Sequence, residues 1–332
     1  MLLQDGRWRN ETAGDCGMCI GPSAHSTADD VVAVPVACMT PEPFVYVGID
    51  LSTSKASTGV CRLSWGAGME LASETGLSLG EVLDSPFTAA AVDVPFGWPV
   101  DFVLAVTEWS KRHDHEETAS SQLMTSGYGS AGERLRFRTT DRFVRQAAKH
   151  LPGAPQEGWP QGLSVTKDMI TGTALHGMHV LGSRYPSLLV GHKFSDTPGG
   201  IVEAYPAAAL TAWNIVHAGY KGKAGGPARE RILEKVETQV PSLSDAIDEE
   251  NRGRLASSDD LLDAFVCALV ARAWHMGHTW LPDDPKVRSA MCALEEWSDD
   301  GVTFQGDDRF QKEVQREGWI ALPSASLAKS LA

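Results

Sequence analysis

The sequence of 332 residues lacks several features that define large classes of protein. It contains no apolar run long enough to span a lipid bilayer, so no membrane partner is expected. Its start has no basic region followed by an apolar core, and we expect no secretory signal. Its six cysteines are scattered, and Cys16 and Cys19 form a Cys-x-x-Cys pair without a second pair. Reduced thiols in a cytoplasmic protein are therefore the expected state.

Positive charge is also scarce. The chain has 29 Lys and Arg residues against 43 Asp and Glu residues, which gives a formal net charge of −14. Proteins that coat nucleic acid without sequence preference are usually basic, because their affinity comes from neutralising phosphates. We therefore do not expect broad coating of duplexes, whereas a local basic patch stays open.

The composition divides the chain into two parts. Residues 1–43 mix Gly, Ser, Asp, Thr and Pro, and they read as an N-terminal extension that is partly flexible. Its one apolar run, residues 31–38, could add an edge strand. A chain with 42% hydrophobic residues can bury a sizeable core, and residues 44–325 are expected to form a single domain.

Residues 44–95 carry the strand patterns. Apolar, β-branched and aromatic runs predict four strands, and a serine predicts the start of a short helix. The predicted strands are residues 45–50, 58–65, 69–73 and 88–94, and the helix spans residues 78–84. Three successive strands suit a meander, and a right-handed crossover then places the fourth strand parallel to the first. Asp50 and Asp93 would end neighbouring strands at the same edge of the sheet.

These acids have two interpretations. An unpaired buried carboxylate is costly, so an acid at a strand end is suited to hold a cation or a phosphate-bearing ligand. Alternatively, Asp50 caps the turn that follows it. A third segment, residues 257–274, predicts a largely buried helix that starts with serine and aspartate. Asp260 and Asp263 would share one face of this helix, and Asp259 is the expected capping residue.

Residues 134–149, here called the basic island, contain six Lys and Arg residues against one Asp. Arginine clusters bind phosphates with two hydrogen bonds each, which makes Arg138, Arg142 and Arg145 candidate phosphate ligands. The alternative is a solvated helix face that acids elsewhere neutralise. The surrounding residues, about 100–198, are expected to form a helical insertion that covers the sheet edge.

The chain then returns to the sheet. Residues 199–203 predict a fifth strand, with Glu203 at its junction with a helix that begins near Pro206. Lys221 follows in a loop, where it could bind a substrate phosphate. Residues 227–239 and 260–275 predict further helices, and residues 317–323 predict a short strand that docks on the domain.

Five of these motifs together resemble the DUF429 family, over roughly residues 44–322. They are Gly-Ile-Asp at 48–50, Ala-Val-Asp-Val-Pro-Phe-Gly-Trp-Pro at 91–99, Arg-x-Thr-Asp-Arg at 138–142, Glu-Ala-Tyr-Pro at 203–206 and Ser-Asp-Asp-Leu-Leu-Asp-Ala at 258–264. The family is regarded as predicted nucleases of the ribonuclease H-like fold. The resemblance implies an α/β domain with a mixed five-stranded sheet, flanking helices and a helical insertion.

More remotely, the pattern is similar to RuvC-type resolvases, whose acids hold magnesium. This resemblance implies metal ligation by Asp50, Asp93, Asp260 and Asp263, although the fourth-strand acid is often glutamate in the resolvases. Two Mg²⁺ or Mn²⁺ ions would support hydrolysis of nucleic acid or another phosphoester. Glu203 would be a fifth ligand or orient a water. The candidate substrate-binding residues are Arg138, Asp141, Arg142, Arg145 and Lys221.

Two other functions stay open. Residues 48–55 resemble the first phosphate loop of actin-like phosphotransferases, and residues 197–200 could be the second loop. Those enzymes usually need two copies of the fold, whereas this chain shows one set of strands. The other alternative is a non-catalytic module that binds nucleic acid or protein, in which the acids are helix and turn caps.

Overall fold

The computed structural model describes residues 2–4, 7–9, 43–66, 69–111, 134–162, 164–166, 170–184, 200–293 and 308–332. The chain divides into two compact units, Met1–Pro41 and Glu42–Ala332. In the first unit, β1 (Leu2–Gln4) pairs with β2 (Arg7–Arg9) in an antiparallel hairpin. Strands of three residues are too short for a periodic pattern, so the sequence does not predict this hairpin. The strand predicted at residues 31–38 lies outside the described residues.

The second unit is built on a mixed five-stranded sheet. Its strands are β3 (Phe44–Asp50), β4 (Gly59–Trp65), β5 (Glu70–Thr75), β6 (Ala89–Asp93) and β7 (Gly200–Glu203). They lie in the order β5-β4-β3-β6-β7. The first three strands form an antiparallel meander, while β6 lies parallel to both β3 and β7. The predicted meander and the parallel pairing of the first and fourth strands are thus confirmed.

The crossover from β5 to β6 contains a short helix, α1 (Leu79–Leu83). Ser78 caps it: the backbone N–H of Glu81 donates to the Ser78 hydroxyl, and the Ser78 backbone N–H donates to the Glu81 carboxylate. This reciprocal capping box satisfies donors that a helix start otherwise leaves unpaired. Val82 and Leu83 are buried in the same hydrophobic core as the strands, which holds the crossover in place.

The described residues between β6 and β7 include three α-helices and irregular segments. The helices are α2 (Val100–Lys111), α3 (Thr139–Arg142) and α4 (Thr171–Arg184). The basic island continues from α3 through a π-helical segment, Phe143–Ala147, and a 3-10 turn, Ala148–His150. These helices lie in the region where the sequence predicts a helical insertion, and residues 112–133 lie outside the described residues.

After β7 the chain is again helical. The helices are α5 (Pro206–Ala212), α6 (Gly226–Gln239), α7 (Glu249–Ser257), α8 (Asp259–His275), α9 (Pro285–Cys292), α10 (Asp308–Glu317) and α11 (Leu327–Ser330). The strand predicted at residues 317–323 is replaced by isolated bridges. Ile320 makes a single parallel bridge to Glu203, and Pro323 makes a single antiparallel bridge to Thr279.

Helix α8 lies at the centre of the core. Every residue from Leu261 to Ala273 is buried, and apolar residues lie on all sides of this helix, with Asp263 and Arg272 as its buried charges. It packs across β3, β4 and β6 on one face of the sheet. None of the described helices is both long and apolar enough to cross a bilayer.

Candidate active site

Two carboxylates lie side by side where two parallel strands end. Asp50 is the last residue of β3, Asp93 is the last residue of β6, and the two residues are paired in the parallel register. Neighbouring strands are about 4.8 Å apart, and residues in register point to the same face of the sheet. The topology therefore brings Asp50 and Asp93 together, as the sequence predicts.

Two glycines let helix α8 approach the sheet beside these acids. A Cβ atom at Gly48 would lie 1.8 Å from the carbonyl oxygen of Ala264. A Cβ atom at Gly59, the antiparallel partner of Asp50, would lie 2.2 Å from the carbonyl oxygen of Asp260. Only glycine permits such contact between the sheet and the helix backbone. The first turns of α8 consequently lie directly against the strand that carries Asp50.

Asp263, one turn into α8, is fully buried and accepts hydrogen bonds from a neighbouring loop. The Tyr220 hydroxyl donates to its Oδ1 atom at 2.8 Å, and the Lys221 ammonium donates to its Oδ2 atom. About half of the Lys221 side chain stays exposed. Lys221 thus joins a solvent-accessible loop to a carboxylate in the core.

The start of α8 differs in one detail from the sequence prediction. Ser258, rather than Asp259, is the capping residue, since its hydroxyl accepts from the backbone N–H of Leu261 at 3.3 Å. A serine hydroxyl one position earlier reaches the N3 donor that a cap must satisfy. Asp260 is half-buried in the first turn, and its charge contributes to the raised pKa of Asp50.

A cavity of about 560 Å³ opens beside the acids. Asp50 and Asp93 line it together with Lys221, Arg138 and Glu203, whereas Asp260 and Asp263 do not. Its remaining described lining is mainly apolar. The site therefore combines clustered acids, one lysine and a space large enough for a small molecule.

Comparison with known proteins gives one match. A family model described as "Protein of unknown function (DUF429)" matches residues 48–287, which is more than two thirds of the chain. The chain belongs to the DUF429 family. No curated protein and no solved structure matches it.

The electrostatics of this DUF429 site are unusual. Burial raises the pKa of Asp50 well above its ordinary value, and repulsion from Asp93 and Asp263 raises it further. Burial, followed by repulsion from Asp263, raises the pKa of Asp93 to about 8, although Lys221 opposes the shift. A carboxyl group with such a pKa holds its proton at neutral pH, so the acids do not all ionise together.

The residues present suit a hard divalent ion in chemistry. Carboxylate oxygens are the ligands that Mg²⁺ prefers. Within the described ranges, however, no group of three or more His, Cys, Asp and Glu side chains is arranged to hold a metal ion. The nearby cation is Lys221, in contact with Asp263. A divalent ion would therefore compete with Lys221 and with bound protons for the same carboxylates.

Glu203 belongs to a separate ionic network. The register pairs it with Val92, so it points to the opposite face from Asp93. Arg138 donates to both of its oxygens, at 2.6 and 2.8 Å, and the Phe96 backbone N–H donates at 3.0 Å. Arg138 also donates to both oxygens of Asp141, at 2.8 and 3.0 Å. Glu203 is thus held by Arg138, and its effect on Asp93 is the repulsion of a nearby charge, which raises the pKa of Asp93.

Arg142 and Arg145 of the basic island also fold inward, whereas Arg136 is exposed. Arg142 is buried, with its Nη2 atom 3.7 Å from the carboxylate of Glu313. The guanidinium carbon of Arg145 lies 3.9 Å from the ring centroid of Phe137. Arg142 and Arg145 are not among the described residues that line the cavity. Phosphate binding by Arg138 and Arg142 stays a prediction, and it would require their release from these carboxylates.

Sequence reasoning missed the residues that position Lys221. Arg229 in α6 donates from Nη1 to the backbone carbonyls of Tyr220 at 2.6 Å and Gly222 at 2.9 Å. The Gly222 N–H donates to Asp259 at 3.2 Å. These bonds fix the loop backbone beside α8. The adjacent Tyr and Lys were visible in the sequence, but no local pattern connects them to an acid about forty positions later.

Proposed function

We propose that this chain is a metal-dependent phosphodiesterase whose active site is the acid cluster of Asp50, Asp93, Asp260 and Asp263. One observation carries the proposal: segments far apart in sequence bring carboxylates together at one sheet edge, beside a cavity. Burying repelling acids destabilises a protein unless a cation offsets their charge. A site of this kind is suited to hold a positively charged group during a reaction.

The strand order supports the same proposal. The order β5-β4-β3-β6-β7, with β4 antiparallel to the rest, agrees with the ribonuclease H-like arrangement that the sequence resemblance implies. In that arrangement the first and fourth strands lie side by side and carry acids at their ends. Asp50 and Asp93 occupy these positions here. A fold is compatible with many functions, so the acids rather than the sheet carry the argument.

The roles of the residues follow from their contacts. Asp50, Asp93 and Asp263 would hold magnesium or manganese, with Asp260 at the edge of the set. When bound, such an ion polarises phosphoryl oxygens and makes a bound water more acidic. Lys221 would bind the substrate phosphate, because its ammonium lies at the acids and half of its side chain faces solvent. Tyr220 orients Asp263 through its hydroxyl hydrogen bond.

The actin-like alternative has less support. Such phosphotransferases usually need two copies of the fold, and the described part of the second unit contains one five-stranded sheet. Lys55, in the segment that resembles a first phosphate loop, pairs with Glu81 at 2.9 Å. The segment compared with a second loop lies almost wholly outside the described residues.

We also propose a cytoplasmic location, which the free thiols of Cys61, Cys267 and Cys292 support.

The test combines stability with hydrolysis. Magnesium or manganese should raise the melting temperature of the wild type, because an ion that binds only the native state stabilises it. The ion should also support hydrolysis of bis(para-nitrophenyl) phosphate. Asp50→Asn should remove most of both effects, since an amide has the shape of the acid without its charge. Asp245→Asn, at an exposed position outside the cavity, is the matched control. Equal thermal shifts in wild type and Asp50→Asn would favour the non-catalytic module.

A further inference from the structure

The cavity beside the acids has the lining of a small-molecule site. Its volume is about 560 Å³, within the range of roughly 300–1,000 Å³ typical of pockets for small ligands. Asp50, Asp93 and Lys221 contribute charged groups, and apolar or aromatic side chains make up much of the remaining wall. The described residues of that wall include Val144, Ile170, Tyr205, Pro206, Ala207 and Ile320. An apolar group attached to a charged one would match this lining.

Among the described residues, the positive charge around the cavity is limited for a long polyanion. Binding of a nucleic-acid strand generally uses several Lys and Arg contacts to successive phosphates. Of the Lys and Arg residues in the described ranges, Arg138 and Lys221 line the cavity. Arg138 is buried and already bonded to Asp141 and Glu203. Lys221, which is half exposed, provides a single accessible ammonium group.

The net charge of the whole chain also disfavours a long polyanion as ligand. With a formal net charge of −14, the protein repels a polyanion at long range, while a ligand with one or two phosphates is repelled much less. Elsewhere in the described chain, several arginines also pair with acids, including Arg134 with Asp101 and Arg252 with Glu230. Contacts to successive phosphates would therefore compete with ion pairs that already exist.

We propose, on the basis of the phosphodiesterase function above, that the substrate is a small phosphodiester of dinucleotide size. Its phosphate would lie at Lys221 and the acids, and a planar apolar group such as a nucleobase would occupy the apolar part of the cavity. Tyr205 is a half-buried aromatic side chain of that wall, and an aromatic ring can stack on a base. A long nucleic acid would be a poor substrate.

The experiment compares two thymidine substrates, a dinucleotide and a long homopolymer, with the full chain in magnesium or manganese. The dinucleotide should have a kcat/KM at least roughly tenfold higher. Two variants fill the cavity from different helices: Thr173→Trp from α4 and Ala207→Leu from α5. Each should raise KM for the dinucleotide, with Thr173→Trp lowering kcat/KM roughly tenfold.

Leu175→Trp is the matched control, because Leu175 lies in the same helix as Thr173, is 56% exposed and does not line the cavity. It should leave kcat/KM within about twofold of the wild type. A homopolymer preferred by the wild type, with cleavage unchanged in both cavity variants, would overturn the small-substrate inference and leave the phosphodiesterase function intact. If neither substrate is hydrolysed with either metal, the phosphodiesterase function fails and this inference fails with it.

Discussion

The ammonium group of Lys221 contacts the carboxylate of Asp263, although Lys221 is 55% exposed and the Asp263 side chain is fully buried. The contact lets a surface loop neutralise a charge in the core. Lys221 also stabilises the ionised forms of Asp50 and Asp93, because its attraction opposes the upward shift of both pKa values. The lysine is thus the internal counterion of the acid cluster.

Removing this counterion should expose the cluster to a competing cation. Lys221→Met leaves Asp263 without its charged donor, so we expect a loss of about 1–2 kcal/mol in unfolding free energy, a modest value because the lysine is half exposed. Magnesium should then stabilise the variant more than the wild type, since no ammonium competes for the carboxylate. Melting temperatures over a magnesium titration measure both effects.

Lys223→Met is the control for this prediction, because Lys223 is exposed two positions away. It should behave like the wild type in both measurements. A smaller magnesium shift in Lys221→Met than in the wild type would mean that the lysine helps to form the cation site and does not compete with it.

The close approach of α8 to β3 makes a second prediction about stability. Gly48→Ala places a methyl group 1.8 Å from the Ala264 carbonyl oxygen, and neither backbone can move without separating the helix from the sheet. We expect a loss of more than about 3 kcal/mol in unfolding free energy, measured in urea.

Gly253→Ala is the control, and it should raise the unfolding free energy, because Gly253 is exposed within α7 and a Cβ there meets nothing within 4 Å. A gain of about 0.5–1 kcal/mol is expected there. Similar stability of the two variants would contradict the packing argument.

The adjacency of Asp50 and Asp93 could be predicted from sequence because it depends on features that sequence records. Strand runs, a capped helix at Ser78 and the handedness of crossovers place β6 beside β3. Both acids end their strands, so the pairing follows without knowledge of any side-chain contact. The close approach of Gly48 to α8, by contrast, depends on which residue of a distant helix lies opposite it.

The partners of Glu203 and Lys221 could not be predicted in this way. A register shift of one residue between β6 and β7 would turn Glu203 to the other face, and sequence does not fix that register. The basic island was interpreted from its net charge, whereas Arg138 and Arg142 pair with Glu203 and Glu313 from distant segments. Charge counts in one window do not include such partners.

The Arg138 network makes a third prediction, which separates structural from substrate-binding roles. Arg138 is buried between Asp141 and Glu203, so Arg138→Met leaves two buried carboxylates without their counterion. We expect a loss of about 3–5 kcal/mol in unfolding free energy, measured by urea unfolding. The double variant Arg138→Met with Glu203→Gln should recover part of that loss, because one uncompensated charge is removed.

Arg145→Met is the comparison within the same island, since Arg145 is only partly buried and its guanidinium lies over Phe137. Arg145→Met should lower the unfolding free energy by less than Arg138→Met does. An Arg138→Met protein with wild-type stability but weakened phosphodiester binding would instead assign this arginine to the substrate.

The last prediction concerns pH and the shared protons of the acid cluster. The pKa of Asp93 rises from 3.8 to about 8 on folding, so the native state binds more protons than the unfolded state between these values. Stability should therefore fall as pH rises from about 4 to about 8 and then level off. Asp93→Asn cannot ionise, so its unfolding free energy should rise relative to that of the wild type over the same pH range, by at least about 1 kcal/mol at the alkaline end.

Urea unfolding at about pH 5 and about pH 9 measures this gap in unfolding free energy between the variant and the wild type. The exposed Asp245→Asn is the control, and its gap should not change between the two pH values. Saturating magnesium should narrow the gap at high pH, because the ion favours the ionised carboxyl of the wild type. A gap independent of pH would mean that Asp93 is already ionised in the native protein and that the cluster does not share protons.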